Sequence, residues 1–173
     1  YGITITSDPE HKSARSLLNS SINCARGCAL HAIAALLWEH YDWGDRFKNT
    51  ILSASKDPNH AVRFAVMNCI LPYYNIEKAF SVEIFTLLTD ADLRIINAHG
   101  YWDILSREYA NRTTYYREVL IAACMSEIDD LAEYAAELLC AVGIFYNDQD
   151  ALNFIMSYQF STKQQERICL QAV

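Results

Sequence analysis

The segment "DPNHAVRFAVMNCILPYY", residues 57–74, decides the fold of this chain. Asp57 can cap free backbone N–H groups, and Pro58 suits the first helical position, where a missing N–H group costs nothing. The pattern therefore predicts a helix that starts here and ends near Pro72. Apolar side chains form one stripe of this helix and fill much of the rest, at Ala61, Val62, Phe64, Ala65, Val66, Met67, Cys69, Ile70, Leu71 and Tyr73. Neighbours must cover such a helix on several sides, which makes it an inner helix.

Four other segments have the same inner-helix character, and they begin at Ile22, Ala91, Ile128 and Lys163. Near the starts of the five segments lie Arg26, Arg63, Arg94, Glu133 and Arg167. These positions recur at a mean interval of about 35 residues, which is the length of a helix pair rather than a heptad. Helices with a narrower apolar stripe lie between them, and we predict these outer helices at roughly 43–56, 75–89, 113–126 and 148–158. The sequence therefore predicts a repeat of helix pairs.

The composition favours an all-α fold of one domain or one compact array. The chain has 173 residues, is 52% hydrophobic and contains only three Pro and five Gly, so it can bury a core but has few turn residues for a many-stranded protein. Its 14 Lys and Arg against 21 Asp and Glu give a net charge of −7. A nucleic-acid backbone would be repelled unless a local basic stripe offset this charge, and the sequence shows no such stripe.

The cysteines and the chain ends suggest a cellular context. Six cysteines lie in apolar, helical stretches, and neither a signal peptide nor a long uncharged apolar span accompanies them. We therefore expect a cytoplasmic location and no membrane association. Because the chain starts at Tyr1 and ends inside a predicted helix at Val173, we expect it to be a fragment of a longer protein. We assign residues 1–19 to an N-terminal arm or the end of a preceding helix, and residues 20–173 to the repeat domain.

The recurring turn Asp and early Arg resemble the pattern of HEAT repeats, which are tandem helical hairpins. The residues that carry the resemblance are Asp57, Pro58, Val62, Arg63 and Ala65, then Asp90 or Asp92 with Leu93 and Arg94, and partly Ala25, Arg26, Gly27 and Ala29. The fourth repeat departs from the pattern, with Leu131, Ala132 and Glu133. The resemblance covers about residues 20–173 and implies a right-handed α-α superhelix, a HEAT-like solenoid of about four to five hairpins.

The resemblance also implies a ladder of ion pairs, in which an Arg early in each inner helix faces the turn Asp of its own or the adjoining repeat. The predicted members of this ladder are Arg26, Asp57, Arg63, Asp90, Asp92 and Arg94. Exposed pairs contribute about 0–1 kcal/mol each, whereas a fully buried Leu or Ile contributes about 1.5–3 kcal/mol. The ladder is therefore expected to fix the register of the hairpins, while burial supplies the stability.

A looser resemblance rests on "ARGCALHAIAALLWEH" followed by "DPNHAVRFAVMNCILP". This pair of segments is similar to the HEAT-like region that follows the nucleotide-binding module of large bacterial NACHT and STAND ATPases. It implies a sensor or regulatory arm of such a protein. The chain has no G-x-x-x-x-G-K-[ST] loop, so no ATPase residue is carried over.

Several residue groups were weighed as metal or catalytic sites. Cys24, Cys28 and His31 lie on one helix face at a spacing that a metal accepts, but a fourth ligand is missing and small apolar packing is favoured, so no metal or cofactor is predicted. The sequence contains no His-Glu dipeptide, the motif of the iron-dependent HEAT-like hydroxylases, so this class of enzyme is disfavoured. The cluster of Glu39, His40 and Asp42 falls at a helix end, where polar residues are normal. Gly100 interrupts a helical run and indicates a kink or a close helix contact.

We interpret the chain as a non-enzymatic module for protein–protein interaction or scaffolding, whose partner carries a basic patch that complements the charge of −7. Aromatic richness beyond the needs of the core indicates an interface, at Tyr73, Tyr74, Tyr101, Trp102, Tyr115 and Tyr116. The alternative is a HEAT-like DNA glycosylase or another nucleic-acid-binding enzyme. The residue types for it are present at Trp38, Trp43, Trp102, Asp42 and Asp103, but the excess of Lys and Arg that phosphate contacts demand is missing.

Overall fold

The computed structural model describes residues 13–160, and over these residues the chain forms helices and no strand. The predicted all-α class is therefore confirmed. The α-helices are α1 Ala14–Asn23, α2 Ala25–Glu39, α3 Gly44–Ala54, α4 His60–Tyr74, α5 Lys78–Ala91, α6 Tyr101–Glu108, α7 Thr113–Cys124, α8 Asp129–Phe145 and α9 Gln149–Ser157. Short 3₁₀ turns lie at Tyr41–Trp43, Leu93–Asn97 and Tyr109–Asn111. In this part of the chain no helix is long and apolar enough to cross a membrane.

Most predicted helices are confirmed. The four outer helices are α3, α5, α7 and α9, and three of the inner helices are α2, α4 and α8. The fifth inner helix, from Lys163 onward, lies outside the described residues. The predicted domain boundary between residues 19 and 20 falls inside α1.

The start and end of α4 differ from the prediction. Its N-cap is Asn59, whose side chain accepts a hydrogen bond from the Ala61 N–H at 2.8 Å. Asp57 stabilises the turn before the helix, because its carboxylate accepts a hydrogen bond from the Asn59 N–H at 2.8 Å. Pro72 lies inside the helix, which continues to Tyr74. The polar residues of this turn therefore share the capping between two side chains.

The predicted inner helix that begins at Ala91 is wrong as a continuous element. It is divided into the 3₁₀ turn Leu93–Asn97 and α6, with extended backbone at Ala98. Gly100 follows with φ of +82°, a left-handed conformation that glycine adopts without steric cost. Of the two predicted explanations, the kink is replaced by a break in the helix. A close contact with another helix is also present, because a Cβ at Gly100 would lie 3.7 Å from Cβ of Leu71 in α4.

The chain divides into two compact units, one up to Ile104 and one from Leu105. In the first unit α4 is central, because it packs against α1, α2, α3 and α5. Most of its side chains are buried, as the apolar pattern around its circumference predicts. Helix α1 lies against α2, α4 and the turn Leu93–Asn97. In the second unit α8 packs between α7 and α9.

The replacement Gly27→Ala should destabilise the first unit by about 2 kcal/mol or more. A Cβ at Gly27 would lie 1.8 Å from the backbone oxygen of Ser21, which cannot rotate away, so α1 and α2 would have to separate. The control is Gly44→Ala, whose Cβ would lie 2.7 Å from Cγ2 of Ile76, the movable end of a side chain. Urea unfolding followed by circular dichroism measures both variants. Equal unfolding midpoints for the two would contradict this view of the α1–α2 contact.

Candidate functional site

Three turn aspartates make the same pair of contacts. In Asp57, Asp92 and Asp148 the Oδ1 atom accepts the backbone N–H of the residue two positions later, at 2.8, 3.0 and 3.1 Å. The Oδ2 atom of each lies against a nitrogen of a side chain 31 or 32 residues earlier in the chain. Each carboxylate therefore shapes its own turn and holds a preceding hairpin. We call these contacts the three Asp junctions.

The first Asp junction joins α2 to the turn before α4. Arg26 donates to Asp57, and their side chains are 62% and 11% exposed. Arg63 does not bind the Asp57 carboxylate; it donates from Nη1 to the Asp57 backbone oxygen at 2.6 Å. Because the Arg26 side chain is largely exposed to water, this pair adds little stability.

The second Asp junction is buried. Arg94 grips Asp92 of its own turn with Nε to Oδ1 at 2.9 Å and Nη2 to Oδ2 at 2.6 Å, and both side chains are almost fully buried. His60 of α4 brings Nδ1 to 2.7 Å from Asp92 Oδ2. Burial favours the neutral acid, but the hydrogen bonds from Arg94 and His60 outweigh it and lower the pKa of Asp92 below its ordinary value. The carboxylate is therefore held in its charged form.

His60 is the meeting point of two guanidinium groups and this carboxylate. Its Nδ1 lies 2.8 Å from Nη2 of Arg63 and 2.9 Å from Nη2 of Arg94. A ring nitrogen either donates, when it carries hydrogen, or accepts, when it does not. Because this atom lies within hydrogen-bonding distance of Asp92, Arg63 and Arg94, His60 connects α4 to the second Asp junction.

The third Asp junction lies in the second unit and involves residues that the sequence analysis did not single out together. Asp148 accepts from the Tyr109 hydroxyl at 2.7 Å and from Arg117 Nη1 at 2.9 Å on both oxygens. Burial favours neutral Asp148, but the hydrogen bonds from Tyr109, the Ala151 backbone and Arg117 outweigh it and lower its pKa. Burial, followed by the bond to Asp148, raises the pKa of Tyr109. Arg117 also reaches Asp150 at 3.0 Å.

The observed junctions differ in detail from the ladder drawn from the sequence. Asp92 occupies the junction, whereas Asp90 is exposed on α5. The prediction did not include His60, Tyr109, Arg117 and Asp148. A search for a cation 31 or 32 residues before a turn Asp would have found His60 and Arg117, because that separation is common to all three junctions.

The structure also corrects the predicted aromatic interface. Tyr73, Tyr101 and Tyr116 are fully buried and belong to the core. Tyr73 packs on Phe80, with ring centroids 4.9 Å apart. Tyr74, Trp102 and Tyr115 are half-buried, and the Arg112 guanidinium lies 4.2 Å from the centroid of the Tyr115 ring.

Exposed aromatic residues gather instead where α2 turns into α3. Trp38 and Tyr41 are 46% and 47% exposed. Trp43 stacks on His40 with ring centroids 4.4 Å apart, and the Arg46 guanidinium lies 4.7 Å from the Trp43 ring centroid. We call residues 36–46 the α2–α3 corner. Exposed aromatic residues with an arginine are typical of the residues that dominate binding energy at protein interfaces.

An open groove runs between α2 and α3, with a volume of about 510 Å³. Its floor contains Leu30 and Val62, which are buried. The remaining lining residues are Ala29 and Ile33 on α2, Asn49, Thr50, Ser53 and Ala54 on α3, and the Arg26–Asp57 pair. Since early residues of α2 face late residues of α3, the two helices are antiparallel. We call this feature the α2–α3 groove.

A second open cavity of about 430 Å³ lies beside the third Asp junction, lined in part by Thr113, Arg117 and Asn147. Arg117 is bound to Asp148 and Asp150, and Thr113 donates to the Tyr109 carbonyl at 3.1 Å. The main polar groups on this cavity are therefore engaged within the second unit.

Two of the three candidate metal ligands, Cys24 and Cys28, serve the α1–α2 connection. Cys24 is the N-cap of α2 and accepts the Gly27 N–H at 3.3 Å, and Cys28 donates to the Ile22 carbonyl at 3.1 Å. Within residues 13–160 no three His, Cys, Asp or Glu side chains are grouped as metal ligands.

Comparisons with protein-family models, with curated proteins and with solved structures found no match to this chain.

Acidification should remove the stabilisation that Asp92 provides. Because its folded pKa lies below the ordinary value of 3.8, the stabilisation is complete above that value and is lost as pH falls through the folded pKa. We therefore expect the free energy of unfolding, measured with urea between about pH 6 and about pH 2, to fall more steeply with falling pH for the wild type than for Asp92→Asn. The control Asp90→Asn removes an exposed carboxylate that lies outside the junction and should change the pH dependence less than Asp92→Asn does. An unchanged slope in Asp92→Asn would contradict the assignment.

Arg117→Ala should cost more stability than Arg26→Ala. Removal of Arg117, which is 17% exposed, leaves the buried Asp148 carboxylate with fewer donors and should cost about 2 kcal/mol or more. Removal of Arg26, which is 62% exposed, should cost less than about 1 kcal/mol. Chemical unfolding measures both. The reverse order would show that exposure does not govern the strength of the Asp junctions.

Proposed function

We propose that this chain is a HEAT-like helical repeat module that binds a partner protein and performs no catalysis itself. The observation that carries the proposal is the recurrence of the Asp junction at a separation of 31 or 32 residues. In a repeat array each repeat contacts its neighbours, so equivalent contacts are expected once per repeat length, and the aspartates of the first two junctions, Asp57 and Asp92, are separated by about one such length. The right-handed solenoid of stacked hairpins belongs to this proposal.

The elements joined by the Asp junctions support the repeat interpretation. The first junction links the inner helices α2 and α4, and the second links α4 to the turn Leu93–Asn97 at the next inner position. The third links the outer helices α7 and α9. The first two junctions thus connect elements at inner positions, and the third connects two outer helices. A closed bundle has no reason to repeat one contact at one separation.

The use of the charged residues favours a binding role over catalysis. In the buried second and third junctions, the carboxylates of Asp92 and Asp148 are bound by side chains of this chain. These groups stabilise the turns and leave little capacity for a substrate. The α2–α3 corner presents the opposite character, with aromatic side chains exposed to solvent. On the looser resemblance described above, the module is the sensor or regulatory arm of a larger bacterial protein.

Affinity capture tests this proposal. The immobilised chain is incubated with an extract of the cells that express it, with and without nuclease, and washed at low and moderate salt. We expect a protein partner that survives nuclease treatment and whose retention falls as salt rises, since charge complementarity to a chain of net charge −7 contributes to binding. Recovery of nucleic acid alone, with every protein lost after nuclease, would refute the proposal and favour the nucleic-acid alternative.

A further inference from the structure

The α2–α3 groove has two chemically different walls. The α2 wall is apolar, with Ala29 and Ile33, and it continues at helical spacing to Leu36, which is 37% exposed. The α3 wall is polar and exposes Asn49, Thr50 and Ser53. An apolar side chain can lie on the floor of such a groove while its peptide groups form hydrogen bonds with the polar wall. The groove is therefore suited to a segment of polypeptide chain.

The negative charge at the α2–α3 corner favours a bound segment that contains Lys or Arg. Glu39, Asp42 and Asp45 are exposed here, and the Arg46 guanidinium lies over the Trp43 ring. Faces of exposed Trp and Tyr rings attract Lys and Arg, and neighbouring carboxylates strengthen that attraction. At the opposite end of the groove the charges of Arg26 and Asp57 compensate each other. The excess negative charge near the groove therefore lies at the α2–α3 corner.

We propose that the α2–α3 groove binds a short segment of a partner protein, with an apolar side chain on the Leu30–Val62 floor and Lys or Arg beside it at the α2–α3 corner. The inference rests on the proposed protein-binding function and names its surface and the chemistry of its partner. The groove volume of about 510 Å³ accommodates a large apolar side chain together with part of its backbone. Apolar burial supplies affinity, and the charged corner supplies specificity and orientation.

The probe is a phage-displayed library of random peptides of about a dozen residues, selected on the full chain. We expect the enriched peptides to share an apolar residue followed by Lys or Arg. A synthetic peptide of that consensus is then titrated by fluorescence anisotropy against wild type and variants. Failure to enrich any peptide, or enrichment of acidic or purely polar ones, would overturn the inference.

Matched variants locate the binding surface. Ala29→Arg puts a bulky cation on the α2 wall and should weaken peptide binding at least about tenfold. Ala79→Arg makes the same change at an exposed position on α5 and should leave binding unchanged. Glu39→Lys should weaken binding severalfold, whereas Glu83→Lys on α5 should not. Unfolding midpoints confirm that all four variants are folded.

The outcomes separate this inference from the proposed function. Equal peptide affinity in Ala29→Arg and Ala79→Arg would place binding elsewhere and overturn the groove assignment, while a protein captured from extract would still support the function. Loss of binding in Ala29→Arg and Glu39→Lys alone would support the groove, even if extract capture returned only nucleic acid and removed the broader proposal.

Discussion

The arrangement of this protein depends on a turn carboxylate that is shared between two hairpins. In each Asp junction the carboxylate accepts a backbone N–H of its own turn through Oδ1, and its Oδ2 lies against a side chain 31 or 32 residues earlier. The turn conformation and the position of the preceding hairpin are thus set by the same group, and neither can change alone. Burial of α4 supplies far more free energy, but apolar contact is non-directional and does not choose between neighbouring registers. The junctions make that choice, because a shift of one residue would separate Asp92 from His60.

The junctions are graded by their exposure to water. Arg26–Asp57 is largely hydrated, Arg117–Asp148 is partly buried, and Asp92 with Arg94 is almost fully buried. Buried charges are tolerated only with complete hydrogen bonding, and Asp92 meets this condition through its own turn, Arg94 and His60. Exposed aromatic side chains, by contrast, occur at the α2–α3 corner, at Trp38 and Tyr41, and at Phe145 near the end of α8. The buried Asp92 carboxylate and the exposed aromatic side chains of the α2–α3 corner thus lie at different places on the first unit.

The sequence allowed the helices to be predicted better than the contacts between them. Apolar periodicity located α4 and the outer helices, because burial follows helical spacing. It failed from Ala91 onward, since a capping aspartate at Asp92 and the backbone freedom of Gly100 act locally and override periodicity. Counting aromatic residues could not separate Tyr73, which is buried, from Tyr41, which is exposed. Arg117 does not stand out in the sequence, because it lies within the outer helix α7, whereas the HEAT pattern places its basic residue near the start of an inner helix.

Helix α1 gives the first unit a property that a simple array lacks. Where each repeat touches only its neighbours, unfolding can begin at an end and proceed one repeat at a time. Helix α1 instead contacts three elements that follow it along the chain, namely α2, α4 and the turn Leu93–Asn97. Fraying of any one of them also costs the contacts of α1. We therefore expect the first unit to unfold as one cooperative block rather than one hairpin at a time.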